Sequence, residues 1–561
     1  MRRGMLALAI VLVMEGGWCA RAVAAQRSSV VLDQKGSETY EVPDSELERH
    51  EIWPHRPVRP GHAVGAFDSV HLSVIVDAQG NVVSATPVSG PSDAYAAAVA
   101  EAMKWKYVPF EKGGVATRAT FDDDVRLLPP ERLPTRHEPF PEITSSSNVV
   151  MKLSRSGCFG TCPAYSIEIH GDGAVNYSGG YFVVVRGEHR DHLSATQIKD
   201  LIEAFRAADY FSLDDKYTSP ATDLPTFVTS LRVDQVAKSV VDYWGSEVGM
   251  PQAVTDLEET IERVTNTRKW IAGTAETVPT LKNGGFDFSS TEAAALLARA
   301  AKEGSTVVVK DLLALRVEPN GQTEDGRSAL AAAAGARDRE AVELLIQAGA
   351  GKGNPKMKTE ALGAAASVGD AELVKRLLAY GGKANGEIRN GEESQTVLMQ
   401  AASSGVPDVV KLILAGHPHV NARDKKGQTA VRHVVEGNDY WDEERHADRA
   451  EVIRLLVTAG ANVNARDEDG ETALHEALDD DVVKALIKAG ANVNVRNNNG
   501  ETPLMTNVSV EVLKILVAAG ADIHARDTAG RSVLGNVLQY EKSGPRVEYL
   551  RSLGIEETQK R

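Results

Sequence analysis

The hydrophobic rhythm of the chain changes along its length. In VHLSVIVD, Val70, Leu72, Val74 and Val76 recur at every second position, the period of a half-buried strand. Ala78-Gln79-Gly80-Asn81 predicts a hairpin turn, and NVVSATPVSG a partner strand. Asp93 to Lys104 reads as a helix with the apolar stripe Ala96, Val99, Ala100 and Met103. WKYVPF (105–110), a Gly113-Gly114 turn and the strand ATRATFDDDVRLL complete a small α+β unit over residues 63–129. A second α+β domain is predicted over 148–271. VVMKLSRS, YSIEIHG, AVNYSGG, YFVVVRG, FVTSLRV and KSVVDYW have strand composition. Ser194 caps a helix with Ile198, Leu201, Ile202 and Phe205 at helical spacing. Pro251 opens another, with Val254, Leu257, Ile261 and Val264 as its stripe.

From about 291 to 556 the pattern becomes short helices at a fixed period. Residues 470–499 (GETALHEALDDDVVKALIKAGANVNVRNNN) and 500–529 (GETPLMTNVSVEVLKILVAAGADIHARDTA) are near-copies. Gly470 and Gly500 stand where a tight turn needs a positive φ. Thr472 and Thr502 are placed to cap a first helix. A second helix buries Val483, Leu486 and Ile487 and stops at Ala489-Gly490. Neither helix can bury its apolar face alone, so stability must come from the units stacked above and below. The fold class expected is multidomain: two small α+β domains followed by an α-solenoid.

These units resemble ankyrin repeats. The Thr-Pro-Leu-His tetrad appears as TALH (472–475), TPLM (502–505), TAVR (429–432) and TVLM (396–399), more weakly around 328, 359 and 532. The Gly-Ala-Asn-Val-Asn signature occurs at 460–464 and 490–494. About eight units can be cut, the outer ones degenerate. Thr472 to Thr502 and Thr502 to Ser532 are each 30 residues apart, short of the family's period by three, expected to be missing from the turn between paired helices. About ten residues are inserted between Thr429 and Thr472, and NGEIRNGEES (385–394) enlarges one hairpin. The resemblance implies protein partners, held on the concave side and chosen by hairpin tips: Lys425, Lys426, Glu468, Asp469, Asn498 and Asn499. In the insertion, Tyr440 and Trp441 form an aromatic pair among charges, suited to a binding hot spot or to folding back on a lengthened helix.

Residues 63–129 resemble the C-terminal domain of TonB-type energy transducers, through Trp105-Lys106-Tyr107-x-Pro109-Phe110 and the Gly113-Gly114 turn. That family offers a sheet edge to a peptide strand of its partner. The family's membrane anchor and Pro-rich stalk are missing, so energy transduction is not expected. A spacer or self-association role stands beside peptide capture. Cys158-Phe159-Gly160-Thr161-Cys162-Pro163-Ala164-Tyr165, with Asp223-Leu224-Pro225, resembles an uncharacterised domain family of exported bacterial proteins.

The N-terminus reads as a signal peptide (1–25): Arg2 and Arg3, an apolar run from Met5 to Met14, and Ala22-Val23-Ala24 as a cleavage site. Ten apolar residues are too few to span a bilayer, and no later segment looks transmembrane. A periplasmic location is expected, a reading that also accommodates outer-membrane association or secretion. Residues 26–62, 130–147 and 272–290 read as linkers from their polar, Pro- and Ser-rich composition.

The 561 residues carry a formal net charge of −16, which argues against nucleic acid as the main partner. No P-loop, HExxH or GxSxG is present. No catalytic, cofactor-binding or metal site is expected, and the chain is read as a non-enzyme. The mature chain holds two cysteines, Cys158 and Cys162. In an exported protein they point to a disulfide; a redox pair, or a zinc site drawing on His170, His189 or His192, are the alternatives. The competing classes are thus a thiol–disulfide factor and an envelope immunity or stress factor.

Overall fold

A computed structural model describes residues 31–32, 38–41, 51–52, 69–107, 110–112, 115–390, 393–436, 443–507, 509–539 and 541–555. The signal-peptide stretch and the Tyr440–Trp441 pair lie outside the described residues. The described chain divides into two compact units. One comprises residues up to Phe182 together with Gly187–Thr267; the other comprises Val183–Arg186 and everything from Arg268 onward.

Among the described residues the first unit holds two main sheets, besides two short two-stranded pairings, Glu51–Ile52 with Lys106–Tyr107 and Glu111–Lys112 with Val115–Ala116. The smaller main sheet has the order Val31–Leu32, Glu38–Glu41, Ala119–Arg126, Ser69–Val76, Val82–Ser89. Val70, Leu72, Val74 and Val76 are all fully buried. The two N-terminal strands come from the stretch expected to be a linker: Tyr40 and Glu41 pair in parallel with Ala119 and Thr120. Trp105, Tyr107 and Phe110 are buried, and Tyr107 stacks edge-on to Phe121 at 4.9 Å. The helix spans Tyr95–Ala102, with Ala98, Glu101 and Ala102 buried. The stripe expected at Ala96, Ala100 and Met103 faces solvent instead. Several Ala residues can serve equally as the contact face, and the sheet takes the one that keeps Met103 out.

The larger sheet runs Gly187–His192, Ala174–Gly179, Tyr165–His170, Val149–Arg155, Phe227–Val233, Val236–Tyr243, Lys216–Thr218, antiparallel but for the last pair. Ser194 caps the helix Ala195–Ala207 in a capping box with Gln197, and Ile198, Leu201, Ile202 and Phe205 are buried. In Gln252–Val264, Val254, Leu257 and Ile261 are buried, together with Glu258. Residues 130–147 do not hang free: Arg132 N–H donates to Gly249 O (2.6 Å), Gln252 N–H to Glu131 Oε1 (3.0 Å) and Glu138 N–H to Ser212 Oγ (2.8 Å). YFVVVRG is not a strand; the sheet resumes only at Gly187, and Val183–Arg186 belong to the second unit.

That unit opens with the helices Arg268–Ile271 and Thr277–Asn283, the latter within the stretch expected to link. Antiparallel helix pairs follow, from Thr291–Lys302 with Thr306–Ala314 to Val533–Val537 with Pro545–Ser552. Successive first helices pack on one another, as do successive second helices. The enlarged hairpin pairs Glu387–Asn390 with Glu393–Thr396. The three residues missing from the 30-residue units are taken from the first helix, not from the turn. Ala473–Glu476 and Pro503–Thr506 have four residues where Ala329–Gly335 has seven. The buried Asn507 amide donates to Ala477 O (2.6 Å) and so satisfies a carbonyl that the lost turn would have used. The lengthened unit carries a 16-residue second helix, Glu443–Thr458. No described helix is long and apolar enough to cross a membrane.

Candidate interaction surface

Three successive hairpin tips, those at 421–423, 464–466 and 494–496, begin with an Asn and an Arg that bind the next tip. Asn464 Nδ2 donates to Gly490 O (3.0 Å) while its Oδ1 accepts from Asn492 N–H (2.8 Å); Asn421 and Asn494 repeat the pattern. Arg466 donates to Gly470 O within its own tip (3.0 Å) and to Arg496 O in the next (2.8 Å); Arg423 and Arg496 do likewise. The signal for these two ladders is the recurring Asn-x-Arg of NARD, NARD and NVRN, which composition alone reads only as turn. Gly470 and Gly500 hold φ of 77° and 76°, the left-handed turn that glycine adopts without strain.

The six tip residues singled out from sequence sit on this frame with exposed side chains. Their backbones are stitched: Glu468 N–H to Lys426 O, Asn498 N–H to Asp469 O and Thr528 N–H to Asn499 O, each 2.9 Å. Asn498 and Asn499 spend their side-chain amides internally, on Glu468 O (2.8 Å) and Glu501 Oε2 (3.4 Å). Lys425, Lys426, Glu468 and Asp469 are the tip side chains that project from the stack.

Beside the tips, a polar row crosses the first helices of four successive units. Gln428 Nε2 donates to Glu436 Oε1 (2.7 Å). Arg432, with 5% of its side chain exposed, pairs with Glu476 (2.5 Å), Glu436 (3.5 Å) and Asp467 (3.7 Å). Asn497 Nδ2 bridges Glu471 Oε1 (3.1 Å) and Glu501 Oε2 (2.9 Å). Asn536 Nδ2 reaches Glu501 Oε1 (3.1 Å), and Gln539 joins Asn536 to Arg531, which pairs with Asp527 (2.5 Å). Six carboxylates thus share two guanidinium groups. Burial, and then the hydrogen-bonded Glu476 carboxylate, push Glu471 up to about 7. Burial opposes the charge on Glu476 too, but Arg432 prevails and holds it below the usual carboxylate range. The contacts that carry the row from one unit to the next, Arg432–Asp467, Arg432–Glu476, Asn497–Glu471 and Asn536–Glu501, follow no local motif, because they join residues 26 to 44 positions apart.

The first-helix caps differ between the near-copies. His475 Nδ1 accepts from Thr472 N–H (3.1 Å) and pairs with Thr472 Oγ1 (3.1 Å), while Nε2 reaches Glu501 O in the next unit (3.3 Å). Burial lowers the His475 pKa. Its contribution is therefore complete above the ordinary value of 6.5 and fades as pH falls below it. At the matching position 505 stands Met, and the buried Thr502 Oγ1 has no partner, so the cap expected there is not made. Met505→His is expected to supply it and stabilise the array by about 1 kcal/mol, read as a higher denaturant midpoint with an unchanged slope.

Cys158 and Cys162 form a disulfide, with Cα atoms 5.4 Å apart. It closes the loop between the first two strands of the larger sheet, away from any helix start. Cys158→Ser/Cys162→Ser is expected to cost the sheet about 2 kcal/mol by the loop-entropy model, measured by denaturant titration; no change would remove the structural role. In the smaller sheet, Val82–Ser89 is paired on one side among the described residues, with Val83 and Val88 about half exposed.

Two family models match the chain. Ankyrin repeats, in three copies, match residues 297–387, 362–441 and 445–527; a domain of unknown function, DUF6438, matches residues 149–265. No curated protein matches it. The chain therefore carries a DUF6438 domain followed by ankyrin repeats, and the repeats imply protein partners.

Proposed function

We propose that the chain is an exported, non-enzymatic interaction protein whose ankyrin array holds a basic segment of a protein partner along its inner polar row. The observation that carries this reading is the excess of carboxylates over guanidinium groups on the row, with Glu476 and Glu436 partly exposed at 46% and 33%. Helices pack about 8–10 Å apart, and a peptide in the polyproline II conformation advances about 3.1 Å per residue with about three residues per turn, so every third side chain faces the same way. A partner with Lys or Arg at every third position therefore matches the row. The tip residues Lys425, Lys426, Glu468 and Asp469 then select among such partners.

A labelled peptide of about a dozen residues with that spacing is the probe. It is expected to bind the whole chain, to weaken as salt rises, and to bind much less to Glu476→Lys/Glu501→Lys. Equal binding of a peptide with Glu in place of the cations, or no binding at all, would remove the reading. Export rests on Arg2-Arg3, the apolar run and Ala22-Val23-Ala24, and predicts an envelope-located chain beginning near Gln26.

A further inference from the structure

The apolar run Phe182-Val183-Val184-Val185 separates two strands of the larger sheet and joins neither. Val183, Val184 and Val185 are buried, at 2%, 0% and 1% exposed, inside the unit that contains the repeats. Val184 N–H donates to Ile271 O and Val185 N–H to Trp270 O, both 2.8 Å. On the other side, Arg299 of the first repeat helix, Thr291–Lys302, sends Nε to Val184 O (2.8 Å). Its remaining nitrogens pair with Glu324 (2.8 Å) and Glu292 (2.5 Å), and Arg186 shares Glu324 (3.1 Å). With 5% of its side chain exposed, Arg299 acts as a rivet between this strap and the array.

A stacked array has an unpaired apolar face at each end, and it requires a cap there. The first repeat helix is apolar on nearly every side: Ala293, Ala294, Leu296, Leu297, Ala298, Ala300 and Ala301 are all buried. Its repeat neighbour, Ala329–Gly335, covers one side. We propose that Val183–Arg186, which lie within the sequence matched by DUF6438, are the N-terminal cap of the ankyrin array, delivered by the preceding domain and locked by Arg299. The domain of unknown function thereby acquires a role independent of what the array binds. The strap closes the open end of the stack from within the unit that holds the repeats.

The test is amide hydrogen exchange on the full chain carrying Val184→Asp, and separately Arg299→Lys, which keeps the charge but loses the Nε contact. Exchange in Thr291–Lys302 and Thr306–Ala314 is expected to accelerate about tenfold or more in Val184→Asp, and severalfold in Arg299→Lys. The strands Val149–Arg155 and Tyr165–His170 and the distal helix Val510–Ala518 should keep their protection. Unchanged exchange in Thr291–Lys302 in both variants overturns the proposal. So does a uniform loss across the strands and distal helices, which would make the strap a general element of folding.

Discussion

Replacing Arg432 by alanine is expected to cost the array about 3–5 kcal/mol at pH 7, the range for breaking a buried ion pair from one side. The guanidinium is 5% exposed and serves three carboxylates on two units. Without it, Glu476, Glu436 and Asp467 are left crowded beside Glu471. Glu476→Gln should cost only about 1 kcal/mol, since Arg432 keeps two partners. The pH dependence separates this account from simple loss of packing. Glu471 rises from its ordinary 4.5 to about 7 in the folded chain. A carboxyl raised in this way gives its full stability below its unfolded value and loses it as pH rises through the folded one. The Glu471 contribution should therefore fall as pH climbs from about 4.5 to 7, against the rise that His475 contributes toward 6.5, and the fall should be steeper in Arg432→Ala. Denaturant melts at stepped pH, read by far-UV circular dichroism, check both. A small pH-independent loss in Arg432→Ala would remove the ion-pair row as a structural element and, with it, the argument for an acid-rich face.

Glu258→Met is expected to stabilise the DUF6438 domain by about 1–4 kcal/mol at pH 8, the gain seen when apolar groups replace buried charge. Glu258 is 5% exposed, and its Oε1 has no hydrogen-bond partner. Burial raises its pKa well above the ordinary value, and Asp242, Glu262 and Glu259 add repulsion. The sign is that of a raised carboxyl: stability is complete below about 4.5 and declines as pH rises through the folded pKa. Met keeps the volume and removes the charge, so the variant should show a higher melting temperature at pH 8 and a flatter pH profile than wild type. A lower melting temperature, with the wild-type slope retained, would mean that the carboxyl makes a favourable contact and is not a cost to the fold.

Several features could be read from the sequence because their causes are local. The alternation at Val70–Val76, the Ser194 cap, the stripe Ile198-Leu201-Ile202-Phe205 and the glycine turns of the repeats are all set within a few residues. The repeat itself was visible because it is written more than once. The candidate surface was legible only in outline. Its tips were marked by position in the repeat, but the row from Arg432 to Arg531 is built from residues in different units, and its exposure depends on how one unit lies on the next.

Sequence alone thus determined that the C-terminal part must stack and that two sheets precede it, because periodicity dictates which faces must leave water. Tertiary structure decided where ambiguous apolar stretches go. YFVVVRG (181–187) has the composition of a strand, but its buried residues Val183, Val184 and Val185 belong to the repeat-containing unit while Tyr181 is exposed. In Tyr95–Ala102 the expected stripe Ala96, Val99, Ala100 and Met103 gave way to Ala98 and Ala102, with Val99 partly buried, because alanines stand on every side and the sheet sets the contact face. Hydrophobicity carries a demand for burial without a direction, and the direction comes only from the shape of what is already packed.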